Sequence, residues 1–241
     1  MNIFLKTVIL IMIIVTISCS ASVSGKKHAM KVDHEKIYAK TIYFMPYETQ
    51  NIQIVHDDKS NNLLIVSYIT LDKARFNNLN EFSFILDEDT RIKAFTINRK
   101  AQPIERILTY DESNFNNQLK YDLVEKIRFF GNLWKFKLTD EELAQDKIEL
   151  MIKYTISNQS KDEAYHKNKA GFTLNGNLWW YPSTFLDGGT IKLNLNIKDS
   201  YEVTLSGNPV PFESIRSYKF YQHTVQNLFD TPLNVEAKKA K

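Results

Sequence analysis

Ile191-Lys192-Leu193-Asn194-Leu195-Asn196-Ile197-Lys198 is the stretch that decides the fold. Aliphatic and polar side chains alternate at every step. An extended backbone therefore puts Ile191, Leu193, Leu195 and Ile197 on one face and the polar residues on the other. A helix would scatter the same residues around its circumference. The pattern predicts a strand with one face in a core and the other in water. Asp199-Ser200 turns the chain, and Tyr201, Val203 and Leu205 resume the apolar face until Ser206-Gly207-Asn208-Pro209 ends it. The two segments read as a hairpin, or as consecutive strands of one antiparallel sheet.

The same grammar recurs on both sides. Ile148, Leu150, Ile152, Tyr154 and Ile156 alternate with Glu149, Met151, Lys153 and Thr155. Earlier, Asn51 to His56 leads through the turn-forming Asp57-Asp58-Lys59-Ser60-Asn61-Asn62 into Leu63 to Thr70. Phe82 to Leu86 and Ile92 to Ile97 flank the acidic turn Asp87-Glu88-Asp89. Val124 to Phe130, Gly131-Asn132 and Leu133 to Leu138 predict a second hairpin, because a Gly-Asn pair accepts the positive dihedrals of a tight turn. Helical signals are few. Thr139-Asp140-Glu141-Glu142 has the capping-box spacing, yet it opens only a short turn before the strand from Ile148 begins. Many short strands with turn signals at intervals of about 8–12 residues predict an all-β fold, an antiparallel β-sandwich.

Ahead of these strands stands Val8-Ile9-Leu10-Ile11-Met12-Ile13-Ile14-Val15-Thr16-Ile17, preceded by Lys6 and followed by Ser18-Cys19-Ser20-Ala21-Ser22. A basic start, a short apolar stretch and small residues at the cut describe an export signal. The stretch falls short of the about 20 apolar residues of a membrane span. Cys19 is the only cysteine, and its place behind a small residue resembles the bacterial lipoprotein signal, in which the thiol is acylated. Thr16 stands where that pattern has leucine, so plain secretion and an uncleaved anchor remain as alternatives. The expected organisation is a signal peptide with a signal helix over 1–18, a lipidated tether and lead-in over 19–47, the sandwich over 48–236 and a basic tail over 237–241. Lipidation would place the chain in a bacterial cell envelope, on the membrane through its N-terminal lipid.

Composition narrows the functions. Removing Lys6 with the signal leaves 30 basic against 28 acidic residues. That near-balance, with basic clusters at the end segments Lys26-Lys27 and Lys238-Lys239-Lys241, argues against nucleic acid as a partner, since phosphate binding needs a clustered basic surface. Near an acylated terminus, Lys26, Lys27 and Lys31 add attraction to anionic headgroups of at most about 1 kcal/mol each. With no second cysteine there is no disulfide, so stability rests on the apolar core.

The order of segments resembles the N-terminal β-domain of the aminopeptidase N family of gluzincin metallopeptidases. The residues that carry it are Ile52-Gln53-Ile54-Val55, Leu63 to Thr70, Leu79 to Leu86, Ile92 to Ile97 and Lys147 to Tyr154. Gly171-Phe172-Thr173-Leu174-Asn175-Gly176-Asn177-Leu178-Trp179-Trp180-Tyr181-Pro182 is similar to the Trp-Tyr-Pro segment of bacterial members. Tyr201 to Gly207 and Ser217 to Tyr221 match the closing strands of that domain, so the likeness runs over 48–236. The family's catalytic motif is H-E-x-x-H on a helix, where two imidazoles hold zinc and the glutamate activates water. Here His34-Glu35 is followed by Lys36-Ile37-Tyr38, without the second imidazole, and the family's G-x-M-E-N segment has no counterpart. No residue receives a zinc or catalytic role, and neither cofactor nor metal is expected. The resemblance implies a non-catalytic domain that binds a protein or substrate. The alternative is the non-catalytic subunit of a split zinc aminopeptidase, with a separate peptidase domain as its protein partner.

Among the remaining residues, Trp179, Trp180 and Tyr181 suggest an aromatic platform for sugars or peptide side chains. As a strand, the segment would put Trp179 and Tyr181 on one face and Trp180 on the other, with at least one face in the core. Asp187-Gly188-Gly189 reads as a turn, since it lacks the alternating oxygen ligands of a calcium loop. His166 reads as an exposed loop histidine. There is no G-x-S-x-G elbow and no glycine-rich phosphate loop.

Overall fold

A computed structural model describes residues 41–115, 121–158, 163–186, 188–226 and 232–240. The signal, Cys19 and the tether lie outside the described residues, as does Asp187. Residues 37–241 form one compact unit. In chain order its strands are β1 (Tyr47–Val55), β2 (Asn62–Leu71), β3 (Glu81–Asp87), β4 (Thr90–Ile97), β5 (Lys100–Ala101), β6 (Glu105–Ile107), β7 (Gly131–Lys137) and β8 (Glu149–Ser157). They continue with β9 (Tyr165–Asn168), β10 (Gly171–Leu174), β11 (Thr190–Lys198), β12 (Tyr201–Leu205), β13 (Asn208–Pro209), β14 (Phe212–Ile215), β15 (Tyr218–Gln226) and β16 (Val235–Lys239).

Three sheets result. The largest has eight strands in the order β14-β15-β11-β1-β2-β8-β4-β5. The others are β13-β12-β16-β10-β9 and β3-β7-β6. Among the described residues, every strand pair is antiparallel except β1 with β11, which run parallel from Thr49 beside Thr190 to Val55 beside Asn196. Alternation explains the layers. Ile191, Leu193, Leu195 and Ile197 of β11 are buried, as are Leu150, Ile152, Tyr154 and Ile156 of β8. They meet Phe82, Phe84 and Phe136 of the three-stranded sheet and Phe172, Val203 and Val235 of the five-stranded one in a single core. Each such side chain contributes about 1.5–3 kcal/mol by leaving water. The all-β sandwich stands.

The structure corrects four local expectations. β11 and β12 are not a hairpin: β11 lies in the eight-stranded sheet, whereas β12 pairs with β13 and β16 in the five-stranded one. Asp199-Ser200 carries the chain between layers, and Tyr201, Val203 and Leu205 face the same core from the opposite side. Residues 121–130 are helix α1 (Tyr121–Phe130), not a strand. Val124 and Ile127 of that segment are buried, three apart, which is a helical spacing. Gly131 is the first residue of β7 rather than a turn. Finally, the sandwich reaches past both expected ends. Ile42 and Phe44 bridge to Phe115 and Ser83, and Met45 is wholly buried. Lys238 and Lys239 belong to β16, which pairs with β10 and β12. The capping box holds: Thr139 caps α2 (Asp140–Leu143), and the Glu142 carboxylate accepts a hydrogen bond from the Thr139 N–H.

A second, smaller cluster sits under α1. Val124 and Ile127 pack there with Ile85, Leu133, Phe44, Phe115 and Trp179.

Candidate functional site

The Trp-Trp-Tyr-Pro segment lies where the three sheets meet. Asn175 opens a 3-10 turn over Gly176–Leu178, its side-chain oxygen accepting from the Asn177 N–H. Trp179 follows in the left-handed region at φ 54°, ψ 44°, so the segment is not a strand and its rings do not alternate. A bulky residue there is strained, and surrounding contacts must hold it. They are present. The Trp179 carbonyl accepts from the Asp87 N–H of β3 at 2.9 Å, and Ile85 and Ser183 exchange backbone hydrogen bonds. Trp180 Nε1 donates to the Leu233 carbonyl at 2.8 Å, just ahead of β16. The Trp180 carbonyl accepts from Tyr154 Oη of β8 at 3.2 Å, and the Pro182 carbonyl accepts from Gln50 Nε2 of β1 at 3.1 Å. One segment thus ties the three-, five- and eight-stranded sheets together. Trp179, Trp180 and Tyr181 are 6%, 0% and 6% exposed. A platform needs open ring faces; these rings are core. Burial also drives the hydroxyl pKa values of Tyr47, Tyr154 and Tyr181 upward, so all three are neutral at ordinary pH.

A second group of chemically capable side chains was not singled out in the sequence. His56 directly follows β1, its imidazole stacked on Phe172 at 4.7 Å and edge-on to Tyr201 at 5.4 Å, both from the five-stranded sheet. Its side chain is 2% exposed, its Nδ1 lies 3.7 Å from Asp58 Oδ1, and its Nε2 is buried without a partner. Asp58 accepts from Tyr201 Oη and from Lys198 Nζ, each at 2.6 Å. Lys167 of β9 donates to the carbonyls of Asp57, Asp58 and Ser60. Aspartate, imidazole and phenol are catalytic residue types, but an imidazole this enclosed cannot reach a substrate. The cluster instead latches the β1–β2 turn of one sheet onto the other.

The latch titrates. Burial lowers the His56 pKa from 6.5, with Asp58 and Asp57 pulling it up and Lys167 and Lys198 pushing it down. At Asp58 burial pulls upward, yet the hydrogen bonds from Lys198 and Tyr201 outweigh it and hold the carboxyl at about 2, below its usual 3.8. A base whose folded pKa is depressed leaves the folded state with fewer bound protons than the unfolded one, so stability falls as pH drops below 6.5. Asp58 adds a second loss as pH falls from 3.8 toward 2. Urea midpoints measured between about pH 7.5 and 5.5 are expected to decline for the native chain, and less steeply for His56→Phe, whose ring fills the same slot uncharged. Equal slopes would contradict this assignment.

Among the described residues, no three His, Cys, Asp or Glu side chains gather where they could hold a metal ion, and no helix is long and apolar enough to cross a membrane. Neither α1 nor α2 carries a histidine. His166 lies in β9 opposite Thr173, not in a loop, and His223 lies in β15 of another sheet.

No protein-family model matches the chain, and no curated protein matches its sequence. Solved structures do match. A mutant of the M1 zinc metallopeptidase from Deinococcus radiodurans superposes with a TM-score of 0.50 at 12% identity, over 81% of this chain and 42% of that one. The same mutant bound to a Tyr-Ser-Ala substrate gives 0.50 at 11% identity, again over 81% and 42%. An aminopeptidase N family protein from Idiomarina loihiensis gives 0.49 at 10% identity, over 79% and 29%. This chain spans less than half the length of those peptidases, and at such identities the likeness is one of fold. The fold resembles the N-terminal β-domain of M1 zinc metallopeptidases, the likeness indicated by the strand order and the Trp-Tyr-Pro segment.

Proposed function

We propose that this chain is a non-catalytic β-sandwich that works by binding, held at a bacterial envelope membrane by a lipid on Cys19. The observation that carries the reading is a peptidase N-terminal-domain fold in a sequence without H-E-x-x-H or G-x-M-E-N. Zinc hydrolysis needs two imidazoles one helical turn apart and a carboxylate on the metal-bound water. The sequence offers no such pair. The lipid is supported by the apolar run at 8–17 and the small residues around Cys19.

The test is hydrolysis of aminoacyl p-nitroanilides by the purified chain with added zinc. No turnover above zinc alone is expected, and zinc-dependent turnover by the chain overturns the non-catalytic reading. In the producing bacterium, palmitate label is expected on the chain and absent from Cys19→Ser; label persisting in that variant overturns the anchor.

The likeness of fold to zinc peptidases also supports a second reading, a subunit of a split zinc aminopeptidase. Co-purification with a separate chain bearing H-E-x-x-H, and restored hydrolysis by the pair, distinguish it from a stand-alone binder.

A further inference from the structure

The eight-stranded sheet has a second face, turned away from the core, and its register sets out a regular grid there. One row crosses six strands: Thr224, Lys192, Asn51, Tyr68, Met151 and Thr96 stand side by side from β15 to β4. In the next row Gln222 stands beside Asn194, Asn194 beside Gln53 and Gln53 beside Val66. Thr190, Thr49 and Thr70 make a third. The centre of this surface is mostly amides and hydroxyls, with Lys192, Met151 and Val66 among them and one aromatic ring, Tyr68, at 47% exposure.

An antiparallel sheet with one wet face is polar on that face as a matter of course. A half-exposed ring set in a recess is not part of that minimum. A cavity of about 320 Å³ lies here, lined by Thr49, Asn51, Tyr68, Thr70, Thr96 and Met151. That is within the range of about 300–1,000 Å³ typical of small-molecule sites. Asn194 Nδ2 donates to Asn51 Oδ1 at 2.6 Å across the parallel β1–β11 pair. The bond fixes both amides and leaves Asn51 Nδ2 as a donor and Asn194 Oδ1 as an acceptor for a ligand.

We propose that this face binds a neutral oligosaccharide, stacked on Tyr68 and hydrogen-bonded by the Asn51–Asn194 pair and the threonines beside them. The apolar C–H face of a pyranose matches an open phenol ring, and vicinal hydroxyls match groups that both donate and accept. Charge argues for neutrality: Lys192, Arg99 and Glu149 at the cavity are of mixed sign, and its remaining polar side chains are uncharged. A phosphate-bearing ligand would call for clustered cations. A protein partner would call for an apolar, aromatic-rich centre, and a bilayer for a broad apolar face.

The proposal rests on the binding-module reading but needs neither the anchor nor the lack of hydrolysis, so its failure is separable from theirs. Both hydrophobic clusters of the described residues lie within residues 37–241, the compact unit used for the test. Its amide resonances are followed by NMR during titration with cellohexaose, maltohexaose and tetra-N-acetylchitotetraose. At least one sugar is expected to shift Asn51, Tyr68, Met151 and Asn194, with a Kd of about 1 mM or tighter. Tyr68→Ala and Asn51→Ala should each weaken that sugar about tenfold or more. Phe129→Ala, at a residue 65% exposed on α1, should leave it unchanged. No shift at these residues with any of the three sugars overturns the proposal, and so does binding that survives both substitutions.

Discussion

Trp180→Ala is expected to cost about 3–5 kcal/mol of unfolding free energy, the range for truncating a large buried aromatic. Trp180 is 0% exposed and packs edge-on against Tyr181 at 4.9 Å. Its loss opens a cavity at the junction of the sheets, which rigid strands cannot collapse to fill. It also leaves the Leu233 carbonyl without the Nε1 donor that satisfies it, a penalty of about 1–3 kcal/mol for a buried acceptor. Trp180→Phe separates the two effects: it keeps most of the volume and loses the donor, so a smaller loss is expected. Urea unfolding of residues 37–241 followed by circular dichroism measures both. A loss below about 1 kcal/mol for the alanine variant would show that the segment is not the joint between the sheets.

Gly171→Ala is expected to be as damaging although it adds only a methyl group. Gly171 opens β10 at φ 153°, and a Cβ built there would stand 1.9 Å from the Ala237 carbonyl oxygen of β16. Overlap with backbone cannot be relieved by a rotamer change. The strands must part, and the Lys239 N–H bond to the Ala170 carbonyl is next in line. We expect a loss of about 3 kcal/mol or more, or failure to fold. Gly207→Ala is the comparison: φ is 84° and nothing stands within 4 Å of the new Cβ. It should cost only the left-handed strain of about 1–2 kcal/mol. Thermal melts of the two variants should therefore differ widely; equal losses would mean that dihedral strain, not the close approach of β16, accounts for Gly171.

The alternation in β8 and β11 was legible because period two is a property of the backbone and needs no knowledge of the partner. It fixed which side chains face inward. It did not say from which layer, so β11 and β12 read as a hairpin although they sit in opposite sheets. Both readings put Leu195 and Val203 in the same core. The helix at 121–130 was missed because Val124, Ile127 and Phe130 sit among enough other apolar residues to pass for a strand, and Gly131-Asn132 mimicked a turn. The Trp-Trp-Tyr segment was conspicuous for its composition, yet its rings belong to the interior. Tyr68, a ring that stays open on the outer face of the sheet, looks in sequence like any strand tyrosine.

From the sequence alone came the pleated class of the fold, its inward-facing residues, the peptidase-domain resemblance and the lack of a zinc-binding helix motif, because periodicity and short motifs are local. Only the tertiary structure assigned strands to three sheets, made Trp180 their joint, and closed His56 between Phe172 and Tyr201. Those contacts join residues far apart in the chain, from 26 positions for Tyr154 and Trp180 to more than a hundred for His56 and its two rings, and their geometry exists only once the layers have packed.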